Sequence, residues 1–246
     1  MGERWSRFYH RHLFYELQRL LQAHPSLYYR LHRASMKRDF SSLEVKPDTE
    51  LVIEGAMRSA TSHTFSLFQV ASELGQGRRL RVARHMHVVA QYARAARWNI
   101  PALLLLRRPE DCARSTVLFH RHLTPRQVLK TWIAIHRTAW RWRDAILVIP
   151  FEQATKRPAS VIEATNARFG TAFPAWPGGV AAHARLVAML EDANDWRDGG
   201  NALTTYMPND LKTAEKAKVS LAGCERLLRR ADRLHARWLA RAPAGP

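Results

Sequence analysis

A short run of small and hydroxylated residues, with one arginine, follows an apolar stretch early in the chain. The stretch begins at Leu51 and leads into Gly55, and apolar residues with helical spacing resume at Phe65. A strand that turns into a helix through such a run directs several backbone N–H groups and the positive end of the helix dipole towards one point. The run therefore predicts an anion-binding site in which Arg58 supplies the cation. The candidate ligand-binding residues of this loop are Arg58, Ser59, Ala60, Thr61, Ser62 and His63.

The loop differs from the nucleoside-triphosphatase pattern G-x-x-x-x-G-K-[ST]. Gly55 and Ser62 fit that pattern, but Ala60 replaces its second glycine and Thr61 replaces its lysine. Because the lysine normally reaches the β- and γ-phosphates, its loss argues against a kinase or an ATPase. A phosphotransferase with a degenerate loop remains an alternative.

A second anion site is indicated at the end of another apolar stretch. Arg107 closes the segment that begins at Leu103, Pro109 opens a helix, and Ser115 lies two turns into it. A guanidinium fork and a hydroxyl group suit a phosphate dianion. Two such sites on neighbouring strands are typical of a nucleotide with phosphates at both ends of its ribose.

Two histidines are candidates for a general base, because imidazole titrates near neutral pH. His85 and His87 follow a third apolar stretch, and the sequence does not choose between them. Alternate residues of an extended segment face the same way, so the pair also raises the question of a metal site. No third ligand is evident, and we predict no metal. His63 either contacts nucleotide or packs.

The elements that must position these residues alternate between strand and helix. The predicted strands are Leu51–Glu54, Leu80–Ala83, Ala102–Leu106 and Ala145–Ile149. Helices are predicted over Pro125–Arg143, with Thr124 as N-cap, and from Pro158 to a stop at Gly170. This order indicates an α/β fold, a parallel sheet flanked by helices in three layers, with ligands beyond the carboxyl ends of the strands.

The chain is predicted to form a single domain with three parts. Residues 1–50, with an apolar stripe through Phe8, Leu13, Leu17, Leu20 and Leu21, predict a helical N-terminal extension packed on the core. Residues 51–170 predict the nucleotide-binding core. Residues 171–246 predict a loop-rich and helical C-terminal part, with loops and short helices over 171–220 and a helix over Leu221–Arg241.

Both anion-site motifs resemble those of the sulfotransferases that use 3′-phosphoadenosine 5′-phosphosulfate (PAPS). Gly55-x-x-Arg58-Ser-Ala-Thr-Ser62 resembles the family's 5′-phosphosulfate loop, usually a basic residue followed by Ser-Gly-Thr-Thr. Ala60 departs from the usual glycine, and a methyl group there is tolerated only where φ is negative. Arg107-x-Pro-x-Asp-x-x-x-Ser115 is similar to the family's 3′-phosphate motif. The resemblance covers about residues 50–175 and is nearer to bacterial members than to the animal cytosolic enzymes.

The resemblance implies a P-loop-like fold and the transfer of a sulfonate group from PAPS to an acceptor hydroxyl, on a carbohydrate, a lipid-linked or another acceptor. Adenosine 3′,5′-bisphosphate is the expected product, and no metal is required. Arg58 is expected to stabilise charge on the leaving phosphate, and His85 or His87 to take the proton. Arg107 and Ser115 match the family's 3′-phosphate pair. The sequence identifies neither the acceptor nor the oligomeric state.

The charge of the chain favours anionic ligands in general. Lys and Arg total 39 against 21 Asp and Glu, a net charge of +18. The rival hypothesis is therefore a non-catalytic basic module that binds nucleic acid or an anionic glycan. No recognised nucleic-acid motif supports a specific nucleic-acid partner. Without a signal-peptide pattern or a long apolar run we expect a cytoplasmic protein, with peripheral contact at the inner membrane face as an alternative for the basic N-terminal segment.

Overall fold

Four short apolar segments form a single parallel sheet. The computed structural model describes residues 15–21, 24, 27–30, 33, 41–198 and 201–243. The strands are β1 (Leu51–Gly55), β2 (Val82–Arg84), β3 (Ala102–Leu106) and β4 (Leu147–Pro150). Their spatial order is β2-β1-β3-β4, and all pairs are parallel. The four predicted strands are confirmed, each within two residues of its expected bounds.

The register brings the carboxyl ends of the strands to one edge of the sheet. Gly55 at the end of β1 lies beside Leu105 of β3, and Leu106 of β3 lies beside Pro150 of β4. The segments that follow β1, β2 and β3 therefore start close together. These are the loop at Arg58, the histidine segment and the turn at Arg107.

Helices occupy most of the remaining described chain. They are α1 (Tyr15–Leu21), α2 (Thr61–Gln76), α3 (Ala90–Arg97), α4 (Pro109–Phe119), α5 (Pro125–Ala139), α6 (Phe151–Lys156), α7 (Pro158–Phe169), α8 (Gly179–Asp198), α9 (Asp210–Ala217) and α10 (Glu225–Leu239), with 3-10 segments at Ser41–Leu43 and Trp140–Ala145.

The predicted helix ends are formed by the expected residues. Thr124 caps α5 in a capping box with Gln127, which satisfies free N–H groups at the start of that helix. Gly170 ends α7 with a φ of 64°. The helix predicted over Pro125–Arg143 is shorter than expected, because α5 ends at Ala139 and the chain continues as the 3-10 segment.

Alternate residues of the strands pack into two separate cores. Ile53 and Leu105 face a core completed by α2, α7 and α8. Val52 and Leu104 face the opposite core, completed by α3, α5 and α10. Helices cover both sides of the sheet, and every residue of β1 and β3 is therefore buried. The predicted α/β class, with a parallel sheet between helices, is confirmed.

The prediction of only loops and short helices over residues 171–220 is wrong. A 20-residue helix, α8, occupies Gly179–Asp198. It is held on the sheet by the buried side chains of Ala182, Leu186 and Leu190, which are spaced four residues apart. This narrow stripe is one face of a helix whose other residues are mostly small or polar.

The described part of the N-terminal segment packs beside the histidine segment. Tyr28 and Tyr29 are buried, and they share a cluster with Met86 and Val88. Phe8 and Leu13, which belong to the apolar stripe predicted for this segment, lie outside the described residues. Among the described helices, none has the length and apolar character needed to cross a bilayer.

Trp238 tests how α10 is anchored. Its side chain is fully buried in the core on the α5 side, and its Nε1 donates a hydrogen bond of 2.9 Å to the carbonyl of His136. We expect Trp238→Ala to lower the free energy of unfolding by about 3–5 kcal/mol, because it leaves a large cavity. Urea denaturation measures this. The matched control is Leu239→Ala, an exposed neighbour that we expect to cost less than about 0.5 kcal/mol; equal losses would contradict the assignment.

Candidate active site

The loop after β1 begins with a glycine because β3 passes too close for a side chain. A Cβ atom at Gly55 would lie 2.5 Å from the carbonyl oxygen of Leu105 and 2.5 Å from Oγ of Ser59. Ser59 Oγ itself donates to the carbonyl of Ala56 at 2.6 Å. The Ser59 hydroxyl therefore stabilises the loop by an internal hydrogen bond and does not face a ligand.

The backbone of the loop has the alternating conformation of an anion-binding nest. Arg58 and Ala60 have φ angles of 65° and 75°, whereas Ser59 between them is not in the positive-φ region. Successive residues of opposite hand turn their N–H groups towards a common point. The hydroxyl group of Thr61, the first residue of α2, is buried without a hydrogen-bond partner among the described residues. These groups suit one phosphate group.

Ala60 does not meet the condition of a negative φ that was set for a methyl group at this position. Ala60 adopts φ 75° and ψ 23°, the left-handed conformation that glycine takes most easily. The alanine therefore keeps the shape that a glycine would give, at a conformational cost of about 1–2 kcal/mol.

The two predicted anion sites lie against each other. Nε of Arg58 lies 3.2 Å from Oγ of Ser115, and Nη1 of Arg107 donates to the carbonyl oxygen of Arg58 at 2.8 Å. The Arg107 guanidinium also stacks on Phe151, with 4.1 Å between Cζ and the ring centroid. Its Nε is buried and has no partner among the described residues. Arg58, Arg107 and Ser115 thus lie within reach of a single ligand.

Two lysines that the sequence did not indicate complete this cluster. Lys212 of α9 is 4% exposed, and its Nζ donates to the carbonyl oxygens of Thr205, at 2.9 Å, and Met207. Burial, together with the charges of Arg58, Lys216 and Arg107, lowers the pKa of Lys212 to about 7. Arg58, Arg107 and Lys216 are thus close enough to Lys212 for their charges to act on it.

Lys216, one turn further along α9, responds to the same charges. Its pKa is lowered by burial and by Arg107 and Arg58, and is raised only by Asp111. We call Arg58, Arg107, Lys212 and Lys216 the cation cluster. The two arginines lower the pKa of both lysines, so a bound anion would relieve the repulsion between these charges.

The histidine segment after β2 is held by a buried glutamate. Glu54, the fourth residue of β1, accepts hydrogen bonds of 2.8 Å from the N–H groups of Met86 and His87. His85 and His87 both have positive φ angles, 62° and 51°. A carboxylate with two oxygens can satisfy both N–H groups of this strained turn. Burial raises the pKa of Glu54 to about 7.

The structure distinguishes the two histidines. Nδ1 of His87 lies 2.9 Å from the carbonyl oxygen of Gly55, which can only accept, so Nδ1 carries the hydrogen and Nε2 has the free lone pair. Burial and the charge of Arg58 lower the pKa of His87, although its hydrogen bond to Gly55 opposes the shift. His87 is therefore a neutral imidazole near Arg58, held in one orientation by its hydrogen bond to Gly55. The ring of His85 is 6.1 Å from that of His87.

His63 lies in the first turn of α2, and the charge of His183 acts on it. Burial and the charge of His183, on α8, lower its pKa, and its Nδ1 has no partner among the described residues. In the part of the chain that the structure describes, no group of three His, Cys, Asp or Glu residues is placed to hold a metal ion.

Comparisons with known proteins supply no relative from which roles could be transferred. No family model matches the chain, and no curated protein matches it at a significant level.

Ala60 tests the shape of the loop. We expect Ala60→Gly to raise the free energy of unfolding by about 0.5–1 kcal/mol, because glycine adopts a positive φ without the steric cost that alanine has there. Chemical denaturation measures the change. Ala56→Gly in the same loop is the control; Ala56 is not in the positive-φ region, and its replacement should destabilise. A loss of stability in Ala60→Gly would contradict the described loop.

Glu54 tests the electrostatics of the histidine segment. Its pKa in the folded chain, about 7, exceeds the ordinary value of 4.5, so the folded state binds the proton more tightly. The stability gained from the neutral carboxyl is fully present below about pH 4.5 and is lost as the pH rises to about 7. Relative to Glu54→Gln, we expect the wild type's free energy of unfolding to fall by about 3 kcal/mol across this window, at about 1.4 kcal/mol per pKa unit.

Glu50→Gln is the control for this titration, measured by urea denaturation at a series of pH values. Partial burial of Glu50 opposes the shift, but hydrogen bonds from Arg78 and Arg81 lower its pKa. Its contribution should therefore be lost as the pH falls, the opposite sign. A flat difference between the wild type and Glu54→Gln would show that Glu54 does not titrate in this way.

Proposed function

We propose that this chain is a PAPS-dependent sulfotransferase with a P-loop-like fold. The observation that carries the proposal is the convergence of the two anion sites: Arg58 Nε lies 3.2 Å from Ser115 Oγ, and Arg107 bonds to the Arg58 carbonyl at 2.8 Å. A nucleotide with phosphates at both ends of its ribose fits two sites at the tips of adjacent parallel strands.

The loop after β1 suits the 5′-phosphosulfate end of the nucleotide. The alternating backbone at Arg58–Ala60 and the unpartnered hydroxyl of Thr61 supply hydrogen bonds to the phosphate. Arg58 can stabilise the charge that grows on the leaving phosphate as the sulfonate departs. No lysine stands where a triphosphatase loop has one, so this loop is better suited to a phosphosulfate than to a triphosphate.

The second site suits the 3′-phosphate. Arg107 and Ser115 come from β3 and α4, and α9 adds Lys212 and Lys216. None of the ion pairs among the described residues involves these side chains, so a phosphate at this site would meet positive charge. Hydrogen bonds to charged groups are worth about 1.5–3 kcal/mol each, so this site would dominate nucleotide affinity.

In the reaction, the acceptor oxygen attacks the sulfur atom while the bond from sulfur to the 5′-phosphate oxygen breaks. The acceptor proton passes to Nε2 of His87, and adenosine 3′,5′-bisphosphate leaves. The Nδ1 hydrogen bond to Gly55 fixes the imidazole in the tautomer that a base requires. Its lowered pKa keeps His87 unprotonated at neutral pH. The geometry thus favours His87 over His85 as the base.

Ligand-dependent unfolding separates this proposal from its two rivals. We expect adenosine 3′,5′-bisphosphate at 100-fold its dissociation constant to raise the melting temperature by roughly 5–10 °C, whereas ATP with Mg²⁺ should not. Stabilisation by ATP with Mg²⁺ alone would favour a phosphotransferase. Stabilisation by neither would favour a non-catalytic basic module. Release of bisphosphate from PAPS with a panel of glycans, lipids and phenols then measures transfer.

Lys212 tests the assignment of the 3′-phosphate site. We expect Lys212→Met to weaken adenosine 3′,5′-bisphosphate binding at least tenfold, because it removes a charged hydrogen bond of about 1.5–3 kcal/mol. Calorimetric titration measures the affinity, and adenosine 5′-monophosphate, which lacks the 3′-phosphate, should bind both proteins equally. Lys218→Met is the control, since Lys218 is exposed and paired with Glu215. An unchanged bisphosphate affinity in Lys212→Met would remove α9 from the site.

A further inference from the structure

One partly buried arginine near the candidate base belongs to neither phosphate site. Arg84 is the last residue of β2 and directly precedes His85. Its guanidinium stacks on Phe65 of α2, with 3.4 Å between Cζ and the ring centroid. The contact fixes the side chain at the carboxyl edge of the sheet, beside the histidine segment.

Arg84 lacks an anionic partner within the described residues. None of the ion pairs there involves it, and its Nε is buried without a hydrogen bond. Glu54 is the acid whose charge raises the pKa of Arg84. Its carboxyl oxygens already accept hydrogen bonds from the N–H groups of Met86 and His87. Burying a guanidinium without a counter-ion is costly, so a side chain kept in this state is suited to an anion supplied from outside.

The position of Arg84 separates it from the cation cluster. Its pKa is lowered to about 10 by burial and by Arg79, while Arg58 and Arg107 do not contribute. Tyr206 is related to both Arg84 and Arg58. Its charge raises the pKa of Arg84, and its ring centroid is 5.7 Å from Cζ of Arg58. Tyr206 thus lies next to Arg58, and its charge also acts on Arg84.

We propose that Arg84 binds a carboxylate or sulfate group of the acceptor and so selects acidic acceptors. The inference rests on the proposed function, since it places the acceptor beside His87. An acceptor hydroxyl must reach the base, and the residue that ends β2 lies three positions before that base. A guanidinium fork held flat on an aromatic ring is arranged for bidentate contact with a carboxylate or a sulfate.

Two matched pairs of acceptors test the proposal and distinguish a glycan from a small phenol as the source of the anion. One pair is unsulfated chondroitin tetrasaccharide and its carboxyl-reduced form. The other is 4-hydroxyphenylacetate and 4-hydroxyphenethyl alcohol. In each pair that reacts, we expect Arg84→Gln to lower kcat/KM for the acidic member by about 10- to 100-fold, the loss of one charged contact, and for the neutral member by less than about threefold.

Three variants separate recognition from a structural role. Arg84→Lys keeps the charge and should retain part of the acid preference. Arg79→Gln, an exposed neighbour paired with Glu73, controls for the general positive field and should change neither member. Phe65→Leu removes the aromatic support and should shift the preference in the same direction as Arg84→Gln. All of them should bind adenosine 3′,5′-bisphosphate as the wild type does.

Several outcomes would overturn the inference. A wild type that prefers the neutral members, or an Arg84→Gln loss that is equal within a pair, would show that Arg84 is structural. If no member reacts, thermal shift at saturating adenosine 3′,5′-bisphosphate replaces turnover, and failure of both acidic members to bind would also overturn it. In each of these cases the nucleotide still stabilises the protein, whereas a lack of that stabilisation would instead refute the proposed function.

Discussion

The packing of β1 against β3 at Gly55 sets the dimensions of the candidate site. A Cβ atom at this position would lie 2.5 Å from the Leu105 carbonyl, so the two strands can approach only because glycine stands there. This approach brings the turn after β3 under the loop after β1, and Arg107 reaches the carbonyl oxygen of Arg58. The same glycine offers its own carbonyl to His87. Both proposed phosphate sites and the candidate base therefore depend on one contact between strands.

Strained backbone conformations and closely spaced cations are concentrated at the edge of the sheet that carries the candidate site. Arg58, Ala60, His85 and His87 all have positive φ angles, and Asn99 is the other non-glycine residue with one in the described chain. Such residues cost about 1–3 kcal/mol each and persist only where the surroundings fix them. Here the surroundings are two cores that bury both faces of β1 and β3. The stability of the sheet supports a site that is itself strained.

Local patterns in the sequence were sufficient to predict the sheet and several helix ends. Apolar strands, the Thr124 cap and the Gly170 stop depend on nearby residues, and all three appear in the structure. Helix α8 was missed because its buried stripe is narrow and because Pro177 and Gly178, just before it, indicated a loop. The face of α8 that is buried is determined by its packing with α2 and the sheet, and these contacts are not local in the sequence.

The candidate site was predicted only in part, for a similar reason. The motifs at Arg58 and Arg107 lie within single strand-to-helix turns, so their residue types were visible in the sequence. Lys212 enters the cluster from a segment about 100 residues beyond the second motif, and no local pattern identifies it. Glu54 did leave a signal, a charged residue at the end of an otherwise apolar strand. The choice of His87 required the hydrogen bond to Gly55, which is a tertiary contact.

The carbonyl of Thr205 accepts hydrogen bonds from both Arg58, at 3.2 Å, and Lys212, at 2.9 Å. One main-chain oxygen thus bridges two cations that the proposed function assigns to opposite ends of the nucleotide. If the nucleotide binds as proposed, a cation that turns to its phosphate would give up its hydrogen bond to this oxygen and leave the other cation less constrained. Occupancy of the two ends would then be linked in free energy, and the linkage would be reciprocal. The segment around Thr205 would act as an internal competitor, so the affinity for the nucleotide would reflect an exchange of partners and not the phosphate contacts alone.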